Sequence, residues 1–469
     1  MPVVVVAGGG FCGGFFAAEL ARLARGPLRI VVIEPRPVLG AGVAYSAADP
    51  AHRINVPAAR MTLFADRPAD FDCWVRAQDV LREDPAAEWE GGALYPQRRV
   101  FARYVSEIIA ARGTARPEVS IDHVRSSAVA ATPHGQGFSV TLQDGGSLSA
   151  DALVLAVSHP PPRPPALIAA LGDDPAVIAN PWAPGALDGL PSDAEILIVG
   201  TGLTMADMIA SLDRRGHRGR VLAFSRRGQL SRGHAVVATP FTRFAEAAPP
   251  RSLRELTRLI RTSIAAEAAQ GRPWQAVFDD LRANAGPLWR ALDLADRQRF
   301  LRHLRPFWDA HRYRVAPQVE QAVQSWRAAG RLTVLAASLR GIERRARRLE
   351  ALLHPRGAPP EERRRVMADA VIVTTGPAHG DVIGGNKLLA SLAAQGILQA
   401  DPLGLGIAVD EAGRVRGADG AGNPALVVAG PLARAQYGEL MGMPQVAAQP
   451  SALAGDVAAW LAEMDALAI

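Results

Sequence analysis

Two strand–glycine loop–helix units in matching register, at Val3–Glu34 and Ile196–Arg227, and a stretch of helical periodicity over 251–328 carry the fold prediction. They predict an α/β chain with two Rossmann-like dinucleotide-binding domains and a helical insertion in the second. The chain has 469 residues, 49% of them hydrophobic and 21% charged, which is room for two or three cored domains and excludes wholesale disorder. No run of 18 apolar residues occurs, so a membrane-spanning helix is not expected.

The first unit opens with Val3–Ala7, a β-branched run that reads as a buried parallel strand. It enters Gly8-Gly9-Gly10-Phe11-Cys12-Gly13, a G-x-G-x-x-G. Gly8 permits the tight turn, Gly10 lets backbone approach a pyrophosphate, and Gly13 allows close helix–strand packing. Phe15, Phe16, Leu20 and Leu23 then recur at helical spacing, so Phe11 and Cys12 stand at a helix N-terminus whose free N–H groups face phosphates. The second strand, Arg29–Ile33, ends in Glu34, with Arg36 beside it. A carboxylate there accepts hydrogen bonds from ribose hydroxyls and repels a 2′-phosphate, which suits FAD or NAD.

The second unit repeats the plan. Ile196–Val199 leads into Gly200-Thr201-Gly202-Leu203-Thr204-Met205, a helix through Leu212, and the strand Val221–Phe224. Gly8 and Glu34 stand 26 residues apart, as do Gly200 and Arg226. Met205 replaces the third glycine, so helix and strand are expected to pack less closely. Ser225, Arg226 and Arg227 stand where the first unit has its acid, and such residues pair with a 2′-phosphate, which predicts NADPH. The alternative is a pair of ordinary surface arginines.

Two later apolar strands, Asp151–Ser158 and Asp369–Gly376, end in a proline-rich stretch (His159–Pro165) and a glycine (Gly376). Flavoproteins with two nucleotide domains close each domain with such a strand and cross over there. The expected division is therefore glutathione-reductase-like: 1–165 and 377–469 for the FAD domain, 166–250 and 329–376 for the NAD(P)H domain, and 251–328 for the insertion. Leu426–Val428 leads into Gly430-Pro431, and a helix is expected from about Pro444; this junction is placed beside the flavin ring. The charge run Arg340–Arg348 reads as a solvated face.

Cys12 and Cys73 are the only cysteines, which excludes a disulfide framework, a Cys-x-x-Cys redox pair and a cysteine-rich zinc site, and fits a cytoplasmic protein. Both are expected to pack as small hydrophobes, and no metal is expected. The start of the chain has no basic leader pattern. The net charge is +6 and comes almost wholly from arginine, with Lys387 the single lysine. No basic motif interleaved with aromatics stands out, so nucleic acid is not an expected partner. A homo-oligomer is compatible with the sequence.

Gly40-Ala41-Gly42-Val43-Ala44-Tyr45, His52-Arg53-Ile54-Asn55-Val56-Pro57-Ala58-Ala59-Arg60-Met61, Asn180-Pro181-Trp182 and Arg302–Trp308 resemble a bacterial FAD/NAD(P)-binding protein family. The resemblance covers nearly the whole chain and implies FAD and two nucleotide domains. A broader similarity is to class B, N-hydroxylating flavin monooxygenases, whose Pro-x-Arg-Arg-x-Phe-x-x-Tyr element Pro96–Tyr104 resembles. In those enzymes a segment after the first acid lines the flavin, which implies that role for Asn55, Val56, Arg60 and Met61. Their loop before the second glycine motif differs, because Asn180-Pro181-Trp182 stands there.

Two nucleotide sites in one chain imply hydride transfer from NADPH to FAD and then to an acceptor. With no cysteine pair, the acceptor is molecular oxygen or an external oxidant. The expectation is a monooxygenase acting through a C4a-hydroperoxyflavin on a small substrate, an amine or amino acid. The alternatives are an NAD(P)H oxidase or reductase serving an external acceptor, and a non-catalytic nucleotide-sensing flavoprotein. Asn55 and His311 are the candidate catalytic residues; the bland readings are a turn-capping asparagine and a structural histidine. Arg302, Arg305, His311, Arg312 and Arg314 could meet a substrate carboxylate; the alternative is that each is structural or solvated.

Overall fold

The computed structural model describes residues 1–157, 160, 162–376 and 381–467. Ser158 at the end of the strand expected over Asp151–Ser158, His159 and Pro161 in the proline-rich stretch, and the start of the return expected at 377 lie outside the described residues.

The chain opens with β1 (Val3–Ala7), α1 (Phe11–Leu23) and β2 (Leu28–Ile33). Helices α2 (Asp70–Ala77) and α3 (Arg98–Gly113) follow, then β3 (Val119–Val124). A small antiparallel sheet of β4 (Ala128–His134), β5 (Gly137–Leu142) and β6 (Ser147–Ala150) precedes β7 (Ala152–Leu155).

The second domain begins with β8 (Val177–Ile178), β9 (Ile196–Val199), α4 (Leu203–Arg214) and β10 (Val221–Ser225). The insertion carries α5 (Leu253–Ala269), α6 (Gln275–Ala283) and α7 (Arg305–Arg312). Then come α8 (Pro317–Ala328), β11 (Leu332–Arg345), β12 (Arg348–Pro355), β13 (Arg364–Ala368) and β14 (Ala370–Val373). The return supplies β15 (Arg414–Arg416), β16 (Gly422–Val428) and α9 (Gln445–Leu467).

The first sheet runs β15-β16-β7-β1-β2-β3, the second β13-β12-β11-β10-β9-β14-β8. In each, the glycine-loop strand is central and parallel to both neighbours: Val5 lies between Val31 and Leu153, and Leu197 between Leu222 and Val371. Such a strand is apolar at every position because both faces are covered. Val4 and Val6 meet Phe16, Leu20 and Val457 of α1 and α9, whereas Val5 and Ala7 meet Phe138, Leu153 and Leu388 on the other side. Ile196 and Ile198 likewise face α4 and α8, and Leu197 and Val199 face Phe224, Leu349 and Val371.

The segment expected over 251–328 is helical, and its helices pack against two different cores. Its own core joins Phe244, Leu256, Val277, Leu281, Leu288 and Leu292. Helix α8 instead buries Val319, Val323 and Trp326 against Ile196, Met205 and Ile209, so it serves as the crossover from β10 to parallel β11. An amphipathic period is the same in an insertion and in a crossover, so spacing alone does not separate them. The charge run Arg340–Arg348 forms the β11–β12 hairpin end, where Arg344 pairs with Asp174 and Arg348 with Glu195 and Asp369. Among the described residues, no helix is long and apolar enough to cross a membrane.

Candidate active site

Gly8 turns the chain at φ +104°, and a Cβ there would lie 2.4 Å from the Ala156 carbonyl oxygen. At Gly13 a Cβ would lie 1.9 Å from the Gly8 carbonyl oxygen, so α1 rests directly on the loop. Helix α1 starts at Gly10 without a side-chain cap, and its first N–H groups remain for a ligand. The Phe11 ring points away into an aromatic cluster with Phe15, Tyr45 and Phe101, leaving only its backbone at the loop.

Glu34 is buried at the end of β2. Its Oε2 accepts from the Gly9 N–H at 3.0 Å, and its Oε1 accepts from both the backbone N–H and Nη1 of Arg36 at 3.1 Å. Arg36 is thus the partner that neutralises the buried acid. This cradle fits FAD: an uncapped helix start for the pyrophosphate and an oriented acid for the ribose.

Burial pushes the Cys12 thiol up to about 12, which keeps it protonated and unreactive. Cys73 corrects the expectation of a core residue, because it is exposed on α2. Phe71 and Val75 form the buried face of that helix, and position 73 falls on the opposite side. Both cysteines are free.

The second cradle shares this geometry. Gly200 has φ +121°, with a Cβ position 2.5 Å from Thr374 Oγ1, and α4 starts uncapped at Gly202. Beside Gly202 a Cβ would meet nothing within 4 Å, so Gly202 borders open space, and Leu203 and Thr204 are half-buried. Met205 is fully buried in the α4–α8 core. Ser225 is occupied by the loop itself: its Oγ lies 2.8 Å from Thr201 Oγ1 and accepts from the Gly228 N–H. The two arginines differ. Arg227 lies 4.8 Å over the Phe307 ring of the insertion and donates to the His303 carbonyl, whereas Arg226 is exposed and makes no hydrogen bond or ion pair among the described residues. Of the two, Arg226 is therefore the guanidinium without a partner among the described residues.

Between the cradles, four segments converge. The Asn55 carbonyl accepts from His234 Nε2 at 2.9 Å, and the Asn55 side chain makes no hydrogen bond among the described residues. Burial lowers His234 to about 4, against the pull of that hydrogen bond, so its ring is neutral near pH 7. Arg60 reaches Asp279 of α6 at 2.8 Å, and Arg314 grips the same carboxylate at 2.8 Å. Burial opposes the Asp279 charge, but Arg314 and Arg60 outweigh it and hold the carboxyl below its usual range. Val56 is half-buried, and Met61 is buried in the main core.

Behind this contact lie Arg282 and the buried pair Arg312–Glu439 at 2.5 Å. A cavity of about 130 Å³ adjoins, walled by Leu256, Leu288, Trp289 and Phe300, with Arg305 and Glu439 among its polar lining. Arg305 meets Asp309 at 3.5 Å. Gly430 follows β16 and abuts Cys12, since a Cβ there would lie 2.5 Å from Cys12 Sγ; Pro431 starts the next turn. Gly376, three residues beyond the end of β14, has φ +78°.

His311 stands on α7, stacked on Phe278 at 5.1 Å and edge-on to Trp274 at 4.9 Å, with Nδ1 2.7 Å from the Phe307 carbonyl. Trp274 in turn carries Arg314 over its ring at 5.4 Å. His311 therefore stands one layer behind Arg314. Sequence reasoning missed His234, Asp279, Arg282 and Glu439. Asp279 and Arg282, three apart on one helix beside Leu281, are the one local signal that pointed there.

Fold and cradles define a two-domain flavoprotein architecture. Residues 5–160 match the FAD-NAD(P)-binding family. Comparison with curated proteins gives no match. Among solved structures, L-lysine 6-monooxygenase from Pseudomonas syringae is 20% identical at a TM-score of 0.62, covering 98% of this chain and 99% of that one. Ornithine N-hydroxylase from Kutzneria sp. 744 is 17% identical at 0.59, covering 99% of each. Bacillithiol disulfide reductase from Bacillus cereus is 15% identical at 0.51, covering 98% and 99%. At these identities the likeness is one of fold.

Proposed function

We propose that this chain is an FAD- and NADPH-dependent oxidoreductase, and specifically a cytoplasmic monooxygenase acting on a small amine or amino acid. The observation that carries the reading is the pair of uncapped, glycine-turned helix starts in two tied domains, one ending in buried Glu34 and the other in free Arg226. The residues of the first cradle would hold FAD, which would supply the redox chemistry linking NADPH to molecular oxygen. The chain's own part is to hold and exclude. Glu34 and the α1 start grip the dinucleotide, and Arg226 selects the 2′-phosphate. The Arg60–Asp279–Arg314 bridge joins the first domain to the insertion and shields the cleft from water. The insertion, with its apolar cavity, selects the substrate. Asn55 offers an unengaged amide to the reacting groups.

Two features favour oxygen over a disulfide as acceptor. Cys12 is locked as a thiol inside the phosphate loop, and Cys73 is free on the surface. An exposed free thiol also fits a reducing compartment. A homo-oligomer is compatible with this reading. The test is to reduce the FAD-loaded protein with NADPH, admit oxygen, and offer a panel of diamines and amino acids. Hydroxylated product in proportion to NADPH consumed supports the reading. NADPH consumption matched by hydrogen peroxide, with every member of the panel, replaces it with an oxidase.

A further inference from the structure

We propose that Arg282 is the receptor for a carboxylate on the substrate, so that the site takes organic acids and amino acids in preference to simple amines. The inference rests on the reading of this cleft as the substrate site.

The argument begins with charge. Arg60, Arg282, Arg312 and Arg314 meet where the first domain, α6 and the start of α9 converge, and the carboxylates facing them are Asp279 and Glu439. Both acids are committed: Asp279 to Arg60 and Arg314, Glu439 to Arg312. Arg282 has no ion pair among the described residues, and its Nε and Nη2 are buried without a hydrogen-bond partner. The cluster is two positive charges in excess.

Burying a guanidinium without a partner costs several kcal/mol in general, and a side chain kept for packing alone would be apolar. Here α6 already has Val277 and Leu281 for packing. The residue as a whole is half-buried, while Nε and Nη2 themselves are buried.

The surroundings favour an anion. A Cβ at Gly442 would come 2.7 Å from Arg312 Nη2 and 3.5 Å from Arg282 Nη2, so both guanidinium groups crowd the backbone just before α9. Helix α9 begins at Gln445, and its positive end adds to the same field. A planar carboxylate accepts two parallel hydrogen bonds from a guanidinium, which an amine cannot do. The arginines singled out from sequence as carboxylate receptors include Arg312 and Arg314, and these are spent on Glu439 and Asp279; within the cluster of four, Arg282 is the one without an ion pair among the described residues.

The test is a titration of the FAD-loaded protein with hexanoate and with hexanamide, which match in size and differ in charge, read by the change in flavin absorbance. The wild-type protein is expected to bind hexanoate about tenfold or more tightly than hexanamide, as a charge-assisted pair implies. Arg282→Gln is expected to bring the two within about twofold, and Arg282→Lys to restore part of the preference. Equal binding of both ligands by the wild type overturns the proposal, as does a preference that survives in Arg282→Gln. So does a shifted flavin reduction potential in Arg282→Gln with hexanoate binding intact, because the charge would then serve the flavin. If Arg282→Gln does not fold, the wild-type preference and the Arg282→Lys titration decide. No turnover is needed, so failure of the oxygenase reading leaves the result legible.

Discussion

Arg98 of α3 and Asp207 of α4 form a buried ion pair at 2.8 Å that joins one dinucleotide domain to the other. Arg98 also donates to the Arg53 carbonyl and lies 5.2 Å over the Trp182 ring. His52, next in the chain to Arg53, meets Ser211 of α4 at 2.9 Å. The orientation of one cradle to the other is therefore set by named polar contacts as well as by the shared apolar core. Removing one member leaves the other charge buried and alone, which generally costs about 3–5 kcal/mol. Asp207→Ala is expected to lose about that much stability in urea unfolding. Arg98→Met combined with Asp207→Leu is expected to recover most of it. A single variant within about 0.5 kcal/mol of wild type would show that the pair does not tie the domains.

The same contacts show what the sequence disclosed. Both cradles were legible because glycine turns, buried strands and strand-end residues are local, and their register survives in Val3–Glu34 and Ile196–Arg227. Motif stretches such as His52-Arg53 and Asn180-Pro181-Trp182 were visible as motifs, but their use was not. His52 and Trp182 meet at 5.1 Å across the domain junction, a contact between residues far apart in sequence. Arg226 and Arg227 looked interchangeable, and only the approach of Phe307 from the insertion separates them. Cys73 was misplaced because one turn of helix does not declare which side faces out until Phe71 and Val75 are both seen to be buried.

That separation gives a cofactor prediction. Arg226→Ala is expected to raise KM for NADPH about ten- to a hundredfold, the loss of a charge-assisted contact, with KM for NADH little changed. Arg227→Ala removes a ring contact instead and is expected to affect the two nicotinamides alike. Steady-state flavin reduction with each coenzyme checks both; equal effects of Arg226→Ala on NADPH and NADH would refute the 2′-phosphate assignment.

Glu34 organises Gly9 and Arg36, and in the proposed reading it also faces a ribose. Glu34→Ala is expected to leave the Gly9 N–H and Arg36 without their acceptor, loosening the loop and the flavin together. Glu34→Gln keeps an acceptor for the Gly9 N–H and is expected to retain more FAD. Flavin content after exhaustive dialysis orders the three proteins: wild type above Gln, Gln above Ala. An Ala variant as yellow as wild type would mean that the acid does not hold the cofactor.

His234 is expected to make the protein sensitive to mild acid. Burial lowers its folded pKa from 6.5 to about 4, while the unfolded chain keeps the ordinary value. Between those values the unfolded state binds a proton that the folded state refuses, so stability falls as pH drops from about 6.5 toward 4 and is unaffected by this group above 6.5. The full shift is worth roughly 3 kcal/mol, at about 1.4 kcal/mol for each pKa unit. Protonation would also place a cation beside Arg60 and Arg314, which already crowd the site. His234→Gln keeps a donor for the Asn55 carbonyl and cannot titrate. Its urea-unfolding free energy is expected to fall less steeply than that of wild type between pH 6.5 and pH 4. Parallel slopes for the two proteins would show that this histidine is not the group responsible.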